Sequence, residues 1–285
     1  MVTEKKSLNS SVIIFGGSQG IGRLLAVYLS GKNYGVSVMA RGRWYLMRFK
    51  KEMEQKKIKI NIIAGDVSNE KKVQRAFENH EKFFGQNPLV VINTAAVQGP
   101  LGPLWTLDSK KWQQTLNINL LGSFYVVKWA IKTMMPQRAG SIILFSGGGA
   151  AYGRPNFSAY AASKTAVLRM VETVADELKN AGFKKIIVNA VAPGAVKTRM
   201  TEEILKAGKK AGAAALQQAR AVRRSLNSDA PEIFRLVDFL CQPKLNRGIS
   251  GRLIHIREDY LGFVRKYFPQ PAESGKLRRR PLTKG

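Results

Sequence analysis

The chain has 285 residues, of which 45% are hydrophobic and 23% are charged, and its formal net charge is +28 at pH 7. This length predicts one α/β domain of about 250 residues and leaves too little chain for two full domains. The one cysteine, Cys241, excludes an intrachain disulfide and a cysteine-based metal cluster, and it fits a reducing compartment as a small buried hydrophobe. No signal-type apolar core stands near the start and no apolar run approaches ~18 residues, so we expect a cytoplasmic protein without a membrane span.

The charge balance is extreme, with 47 basic residues against 19 acidic ones. Such a field attracts anionic partners, and nucleic acid, an anionic membrane surface, an acidic carrier protein and a phosphate-bearing substrate all qualify. A solvated basic surface without a specific partner is the alternative. Because the sequence contains no recognised nucleic-acid motif, nucleic acid is the weaker hypothesis.

The first predicted element is a strand that enters a glycine-rich turn and continues as a helix. Residues 13–22 read IIFGGSQGIG, and RLLAVYL follows. Gly16, Gly20 and Gly22 allow a tight turn and a close approach to a pyrophosphate, whose charge the amides of the helix N-terminus bind. The spacing lacks the Gly-Lys-Ser/Thr ending of a nucleoside-triphosphate loop, so the turn predicts a dinucleotide site, with a plain strand-to-helix connection as the alternative.

Seven apolar runs predict strands, and helical periodicity separates most of them. Strands that alternate with helices indicate an α/β fold, a Rossmann-type doubly wound parallel sheet whose ligand crevice lies at the carboxyl ends of the strands. The two longest helices are predicted over 107–135 and 159–181. The predicted strands are 12–15, 35–40, 58–64, 89–92, 141–145, 186–190 and 252–256.

The chain is predicted to be organised as an N-terminal arm, one domain and a tail. The arm covers 1–10 and the domain 11–268, and the basic tail over 269–285 is expected to be disordered. The interval at about 197–226 interrupts the alternation of strands and helices. Its run over 206–215, rich in lysine, alanine and glycine, predicts a loose helical lid over the crevice.

Two tyrosine–lysine pairs have a spacing of four residues, which puts both side chains on one face of a helix. Tyr160 and Lys164 follow the fifth predicted strand, whereas Tyr28 and Lys32 lie at the end of the first predicted helix, and we interpret that second pair as structural. Such a spacing arises by chance about once in a chain of this composition. A nearby ammonium favours the phenolate, so we expect Lys164 to lower the pKa of Tyr160 and to make it an acid–base group.

The order of these elements resembles the short-chain dehydrogenase/reductase family over roughly residues 10 to 256. The glycine turn, the Asn93 element, the Asn119 segment and the pair at Tyr160 and Lys164 follow one another as they do in that family. The resemblance implies hydride exchange between a nicotinamide cofactor and a carbonyl or alcohol. It makes Tyr160 the general acid or base and lets Lys164 hold the nicotinamide ribose. It gives Asn119 a place in a proton relay, with a helix-to-sheet hydrogen bond as the alternative.

The resemblance also implies which residues contact the cofactor. Asp66 and Val67 correspond to an adenine-contacting pair, and Thr198 to a residue that hydrogen-bonds the nicotinamide carboxamide. The full set implied in this way is Gly16, Ser18, Gln19, Gly20, Ile21, Gly22, Arg41, Asp66, Val67, Asn93, Tyr160, Lys164, Pro193, Gly194 and Thr198.

One family residue is displaced in this chain. The family's serine, which hydrogen-bonds the reacting oxygen, usually lies thirteen residues before the tyrosine, and here that position is Gly147. Ser146 is one residue too early. Because glycine adopts backbone angles that other residues avoid, we expect the loop to bring the Ser146 hydroxyl inward. A weakened oxygen clamp, with slow or absent chemistry, is the alternative.

The end of the second predicted strand favours NADP(H) over NAD(H). An NAD-specific site would place Asp or Glu there, whereas the chain offers Arg41 and Arg43, whose guanidinium groups suit a ribose 2′-phosphate. Gln19 argues in the other direction, because many NADP-using relatives have arginine at that place. A solvated basic face is the alternative for both arginines.

The expected activity is NADPH-dependent reduction of a keto group. The basic residues of the lid predict a phosphate-bearing substrate, such as a nucleotide-linked sugar, or an acyl thioester on an acidic carrier, and a generic basic surface is the alternative. By resemblance the chain forms a homo-oligomer through its two long helices. The competing hypothesis is a catalytically weak protein that keeps the cofactor fold and binds an anionic partner such as nucleic acid. The basic lid residues are Lys197, Arg199, Lys206, Lys209, Lys210, Arg220, Arg223 and Arg224, and the only acidic residues in the same interval are Glu202 and Glu203.

Overall fold

The computed structural model describes residues 10–194, 196–225, 230–242, 246 and 248–256. Within these residues seven parallel strands form one sheet in the order β3-β2-β1-β4-β5-β6-β7. Most of the predicted arm and the whole predicted tail lie outside the described residues. The strands are β1 Ser10–Phe15, β2 Tyr34–Ala40, β3 Ile60–Ala64, β4 Val90–Asn93, β5 Gly140–Phe145, β6 Ile186–Ala192 and β7 Leu253–His255.

Helices connect the strands and cover both faces of the sheet. The predicted long helix over 107–135 is confirmed as α4 and α5, joined without interruption by a π-helical turn at Asn117–Leu121. The helix predicted over 159–181 is α6. The helices are α1 Gly20–Gly31, α2 Arg43–Gln55, α3 Glu70–Phe84, α4 Ser109–Leu116, α5 Gly122–Met134, α6 Ser158–Asn180, α7 Arg199–Ala207, α8 Ala213–Arg224 and α9 Ala230–Cys241.

The sheet separates two apolar layers because successive side chains of a strand point to opposite faces. In β1, Val12 and Ile14 face the layer formed with α1, α2 and α9, whereas Ile13 and Phe15 face the layer formed with α3, α5 and α6. All four side chains are fully buried. This burial on both faces explains why the predicted strands are continuous apolar runs instead of alternating ones.

The strand order reverses between β1 and β4, the two central strands. From β1 the chain moves outward to β2 and β3, and it then crosses back to place β4 on the other side of β1. The loops that follow β1 and β4 therefore diverge at the carboxyl edge of the sheet. In open α/β sheets this is the place where ligands bind.

Two predicted boundaries differ from the structure for local reasons. The third strand begins at Ile60 and not at residue 58, because the Ile58 amide donates to the Met53 carbonyl (2.9 Å) and belongs to the end of α2. The predicted helical run over 206–215 is divided, because Gly208 (φ +56°) and Gly212 (φ +84°) adopt backbone angles outside a helix. The lid therefore consists of two short helices, α7 and α8, joined by a 3₁₀ turn.

Two further expectations are met by the described part of the chain. None of its helices combines the length and the apolar composition that crossing a bilayer requires. Cys241 is buried at the end of α9 within the apolar layer, where burial raises the pKa of its thiol far above the ordinary range.

Candidate active site

A cavity of about 630 Å³ opens at the carboxyl edge of the sheet, next to the switch point between β1 and β4. Three parts of the chain that matter for the chemistry contribute to its wall. The glycine turn lies at one side, the pair Tyr160 and Lys164 at the start of α6 contributes a second side, and α7 and α8 cover it. The sequence predicted this combination, although its parts are up to 200 residues apart.

The glycine turn has the geometry of a close-approach site. Gly16 has φ +81°, and a Cβ on it would lie 2.6 Å from the Ala95 amide nitrogen. A Cβ on Gly22 would collide with the Thr94 hydroxyl. The first turn of α1 holds no acidic residue and its N-cap, Gln19, makes no side-chain cap. Uncapped helix amides that face a cavity suit an anion, so the turn fits a dinucleotide pyrophosphate. All six predicted turn residues line the cavity: Gly16, Ser18, Gln19, Gly20, Ile21 and Gly22.

Asn93 supports the wall of the cavity from behind. Its Nδ2 donates to Ser123 Oγ (3.0 Å), and its Oδ1 accepts from the Ala95 amide (3.0 Å). The buried Asn93 side chain is therefore committed to holding the loop after β4 on α5. The residues that line the cavity are the next ones along the chain, Thr94 to Gln98, whereas the predicted cofactor contacts included only Asn93 of this segment.

The residues expected at the adenine end are Arg41, Asp66 and Val67. Arg41 and Val67 line the cavity, together with Tyr45, which the sequence argument missed. Asp66 lies just outside the lining: its Oδ1 accepts from the amide and hydroxyl of Ser68 (2.9 and 2.8 Å), and its Oδ2 is 3.7 Å from Arg41 Nη1. Asp66 thus shapes the loop and places the Arg41 guanidinium at the cavity rim.

Tyr160 and Lys164 lie in the first two turns of α6 and are nearly buried, with 8% and 4% of their surface exposed. Lys164 Nζ donates to the Phe145 carbonyl (2.7 Å) and lies 5.8 Å from the centroid of the Tyr160 ring. Burial lowers the pKa of Lys164 to about 8. The strand β5 therefore fixes the ammonium beside the phenol.

The electrostatic effect on Tyr160 differs from the one predicted. We expected Lys164 to lower the pKa of this phenol, but burial raises the pKa of Tyr160, and the charge that opposes this rise is that of Arg154. Arg154 lines the same cavity. The sequence argument missed this arginine because its distance from Tyr160 depends on the loop between β5 and α6.

Glycine occupies the loop position that faces the Tyr160 phenol. A Cβ at Gly147 would lie 2.9 Å from the Tyr160 hydroxyl oxygen, so position 147 is the one that faces the phenol. Ser146 remains in strand register, since its amide donates to the Val191 carbonyl (2.9 Å). Its Oγ is buried without a hydrogen-bond partner among the described residues, although the residue borders the cavity.

The Asn119 side chain binds the loop after β4 and the helix α6, and neither of these partners belongs to the sheet. Its Nδ2 donates to the Val97 carbonyl and to Ser163 Oγ (both 3.0 Å), and its Oδ1 accepts from the Val97 amide (2.9 Å). Asn119 is fully buried in the π-helical turn between α4 and α5. It ties that turn to the cavity loop and to α6, the helix that carries Tyr160.

The turn after β6 completes the cavity beside the glycine turn. Pro193, Gly194 and Thr198, which were predicted to contact the cofactor, line the cavity. Thr198 lies across from the glycine turn, because a Cβ on Gly20 would be 3.7 Å from its methyl group. The Thr198 amide donates to Thr201 Oγ1 (3.4 Å) at the start of α7, so this helix fixes the turn.

The lid presents an apolar surface to the cavity and a basic surface to solvent. Ile204 and Ala219 pack with Phe157 and Tyr160 in one apolar cluster. Of the eight basic lid residues singled out from the sequence, only Arg199 lines the cavity, where it pairs with Glu203 (2.9 Å). The other seven basic residues lie outside the cavity lining. The apolar residues of α7 and α8 that line the cavity are Met200, Ile204, Ala215, Ala219 and Val222.

Fold and cavity together define an oxidoreductase that uses a nicotinamide dinucleotide, and comparison with known proteins gives the family. The sequence model of the family described as short chain dehydrogenase matches residues 10–209, so the chain belongs to the short-chain dehydrogenase family. The chain is 34% identical over 198 residues to the 3-oxoacyl-(acyl-carrier-protein) reductase of Homo sapiens. The aligned region covers 67% of this chain and 77% of that protein.

Two solved structures show that this fold accommodates either dinucleotide. NAD⁺-bound xylitol dehydrogenase has a TM-score of 0.77 at 25% identity and covers 88% of this chain and 99% of its own. ElxO with NADP bound has a TM-score of 0.73 at 25% identity and covers 89% of this chain and 99% of its own. The predicted family and fold are confirmed, and the choice of cofactor has to be argued from this chain's own residues.

Proposed function

We propose that this protein is an NADP(H)-dependent reductase that converts a keto group into an alcohol, with Tyr160 as the proton donor. The observation that carries the proposal is the position of the Tyr160 phenol in the wall of the cavity that the glycine turn also lines. A ketone between the two would receive a hydride from the bound cofactor. The phenol would protonate its oxygen, and the reverse reaction would oxidise an alcohol.

Each remaining candidate residue then has a role in binding or positioning. Lys164, held by the Phe145 carbonyl, binds the nicotinamide ribose, and Asn119 positions α6 through Ser163. Asn93 and Asp66 act from behind the wall, because they hold the loops that touch the cofactor. The residues proposed to contact the cofactor directly are Gly16, Ser18, Gln19, Gly20, Ile21, Gly22, Arg41, Val67, Tyr160, Lys164, Pro193, Gly194 and Thr198.

The preference for NADP(H) rests on Arg41. Its guanidinium stands at the cavity rim, and β2 ends in Ala40 without the carboxylate that would bind two ribose hydroxyls. Arg43 is the matched control, since it is exposed and does not line the cavity. Asp66, 3.7 Å from Arg41, orients the guanidinium without closing a tight ion pair.

The selectivity of the two cofactors tests this assignment. A hydrogen bond to a charged group contributes about 1.5–3 kcal/mol, so Arg41→Gln is expected to lower the ratio of kcat/KM for NADPH over NADH by about 10- to 100-fold. Arg43→Gln is expected to leave that ratio unchanged. Equal ratios in both variants and in the wild type would refute the role of Arg41.

The substrate is proposed to be a 3-oxoacyl thioester presented on an acidic carrier. The apolar inner surface of the lid suits an acyl chain, and the relative from Homo sapiens is named for this reaction. The exposed lysines Lys206, Lys209 and Lys210 lie on the outer surface, where they could attract an acidic protein but not a phosphate inside the cavity.

A substrate series tests this choice. NADPH oxidation is measured with the 3-oxobutanoyl group on an acyl carrier protein, on coenzyme A and on N-acetylcysteamine. The expected order of kcat/KM is carrier, coenzyme A and then N-acetylcysteamine, and the advantage of the carrier should disappear at high salt because exposed charges are screened. Absence of turnover with all three thioesters would reject this substrate class.

We also propose that the protein forms a homo-oligomer through the helices α5 and α6. The segment from α4 to α5 exposes three large apolar side chains, of Leu121, Phe124 and Met135. Sedimentation at micromolar concentration is expected to show a dimer or tetramer, and a monomer would contradict this. The competing hypothesis of a non-catalytic binder draws on Gly147, on the net charge of +28 and on the basic tail, of which the tail lies outside the described residues.

A further inference from the structure

Gly147, in the loop after β5, places no side chain against the Tyr160 phenol. Position 147 faces the phenol, and glycine occupies it; a Cβ there would already be 2.9 Å from the hydroxyl oxygen. Ser146, the adjacent hydroxyl, makes no hydrogen bond to the phenol. Neither position 147 nor Ser146 therefore contributes a hydrogen bond to the phenol.

Arg154 is held near the phenol by the turn that starts α6. It precedes Tyr160 by six residues, and its carbonyl accepts from the Phe157 amide (3.2 Å). Its guanidinium carbon lies 4.0 Å from the centroid of the Phe157 ring. Phe157 is fully buried and belongs to the same apolar cluster as Tyr160. Stacking on a buried ring fixes the otherwise flexible arginine in the wall of the cavity.

The other charged groups of the cavity wall have partners of their own. Lys164 donates to the Phe145 carbonyl, Arg199 pairs with Glu203, and Arg41 lies beside Asp66 at the rim. Arg154 is the cation that lowers the pKa of Tyr160 against the rise caused by burial. The charged residues of the described chain that line the cavity are Arg41, Arg154, Lys164, Arg199 and Glu203.

We propose that Arg154 is a positioning residue for proton transfer: its guanidinium, stacked on Phe157, keeps a positive charge in the cavity wall that Tyr160 also lines, while Gly147 contributes no side chain. The inference rests on the proposed function, because it concerns the proton that Tyr160 donates. A fixed cation favours the phenolate that remains after this donation, and it favours the base form needed for alcohol oxidation.

The test replaces the charge and follows the phenol directly. Arg154→Gln removes the charge at similar size, and Arg154→Lys keeps the charge without the planar stack. The control is Arg138→Gln, because Arg138 also stacks on an aromatic ring, that of Phe183 (5.0 Å), but does not line the cavity. Each variant is labelled with ¹³Cζ-tyrosine, and the Tyr160 resonance is assigned by its loss in Tyr160→Phe.

We expect the Tyr160 titration to move to higher pH in Arg154→Gln, to a lesser extent in Arg154→Lys, and not at all in Arg138→Gln. At pH 8 the kcat of Arg154→Gln for oxidation of 3-hydroxybutanoyl-coenzyme A with NADP⁺ is expected to fall by about tenfold, because less phenolate is available. Titrations of both Arg154 variants that coincide with the control would overturn the inference.

The two proposals fail in different ways. Loss of turnover in Tyr160→Phe together with an unchanged Tyr160 titration in the Arg154 variants would reject the role of Arg154 and leave the reductase mechanism intact. Retained turnover in Tyr160→Phe would reject the mechanism, and the role of Arg154 with it. If Arg154→Gln does not fold, the Arg154→Lys titration decides by the same criterion.

Discussion

The chain contains the same tyrosine–lysine spacing twice, but only one of the two pairs lines the cavity. Tyr160 and Lys164 lie in the first turns of α6 and are nearly buried at the cavity. Tyr28 and Lys32 lie at the other end of their helix, α1, where the Tyr28 ring stacks on Phe234 and Lys32 is exposed. A helix that follows a parallel strand begins at the carboxyl edge of the sheet, so only residues in its first turns reach the crevice. Position along the helix, and not spacing, separates a reactive pair from a packing pair.

The largest expected difference between the two pairs is in activity. Tyr160→Phe removes the proposed proton donor and keeps the ring, so kcat for the 3-oxoacyl thioester is expected to fall by about a thousandfold, while NADPH binding followed by fluorescence persists. Tyr28→Phe is the matched control and is expected to leave kcat unchanged. Equal activities of the two variants would abolish the distinction.

A smaller difference is expected in stability, where replacing Tyr28 should cost more than replacing Tyr160. The rings of Tyr28 and Phe234 are 4.6 Å apart and nearly parallel, with 7° between their planes. Stacked aromatic pairs contribute about 0.5–1.5 kcal/mol beyond their burial, so Tyr28→Leu is expected to lower the free energy of unfolding by about 1 kcal/mol. Tyr160→Phe keeps its packing and should unfold at the same urea concentration as the wild type. A larger loss in Tyr160→Phe would show that α6 also depends on its phenol for stability.

The last expected effect is on the pH dependence of stability, in which the replacements of Lys164 and Lys32 should differ. Burial lowers the pKa of Lys164 from 10.5 to about 8, so the unfolded chain binds more protons than the folded one between these values, and stability rises with pH there. From pH 6 to pH 9 the wild type is expected to gain about 1 kcal/mol of unfolding free energy relative to Lys164→Met.

The control for this experiment is Lys32→Met. Lys32 is exposed in the folded chain, so its replacement should cause the same change in stability at both pH values. A pH-independent difference between wild type and Lys164→Met would mean that Lys164 stays as accessible to protons in the fold as in the unfolded chain.

Local patterns were sufficient for the sheet and for the nucleotide turn. Each strand is a short apolar run. Gly16 and Gly22 are required because a Cβ at either position would collide with the loop after β4, and a Cβ on Gly22 would also collide with the glycine turn itself. The boundary of β3 was missed by two residues because the last hydrogen bond of α2 reaches Ile58. Propensity does not reveal which carbonyl an amide will choose at the end of a helix.

The chemistry of the site was less predictable than its location. Ser146 was expected to turn inward. The Ser146 amide still pairs with the Val191 carbonyl of β6, and the position that faces the phenol is 147, where the chain has glycine. The charge of the lid did not indicate which of its sides faces the cavity. The lid helices bury their apolar side against Phe157 and Tyr160, since an amphipathic helix places its apolar stripe on the core whatever charge it carries.

By itself the sequence determined the family, the parallel sheet and the residues that meet at its carboxyl edge, because strand periodicity and glycine spacing are properties of neighbours along the chain. The tertiary structure decided which cation acts on Tyr160, which loop position faces that phenol and which side of the lid is apolar. These depend on distances between segments that are brought together only by folding, and electrostatic effects and burial both vary with such distances.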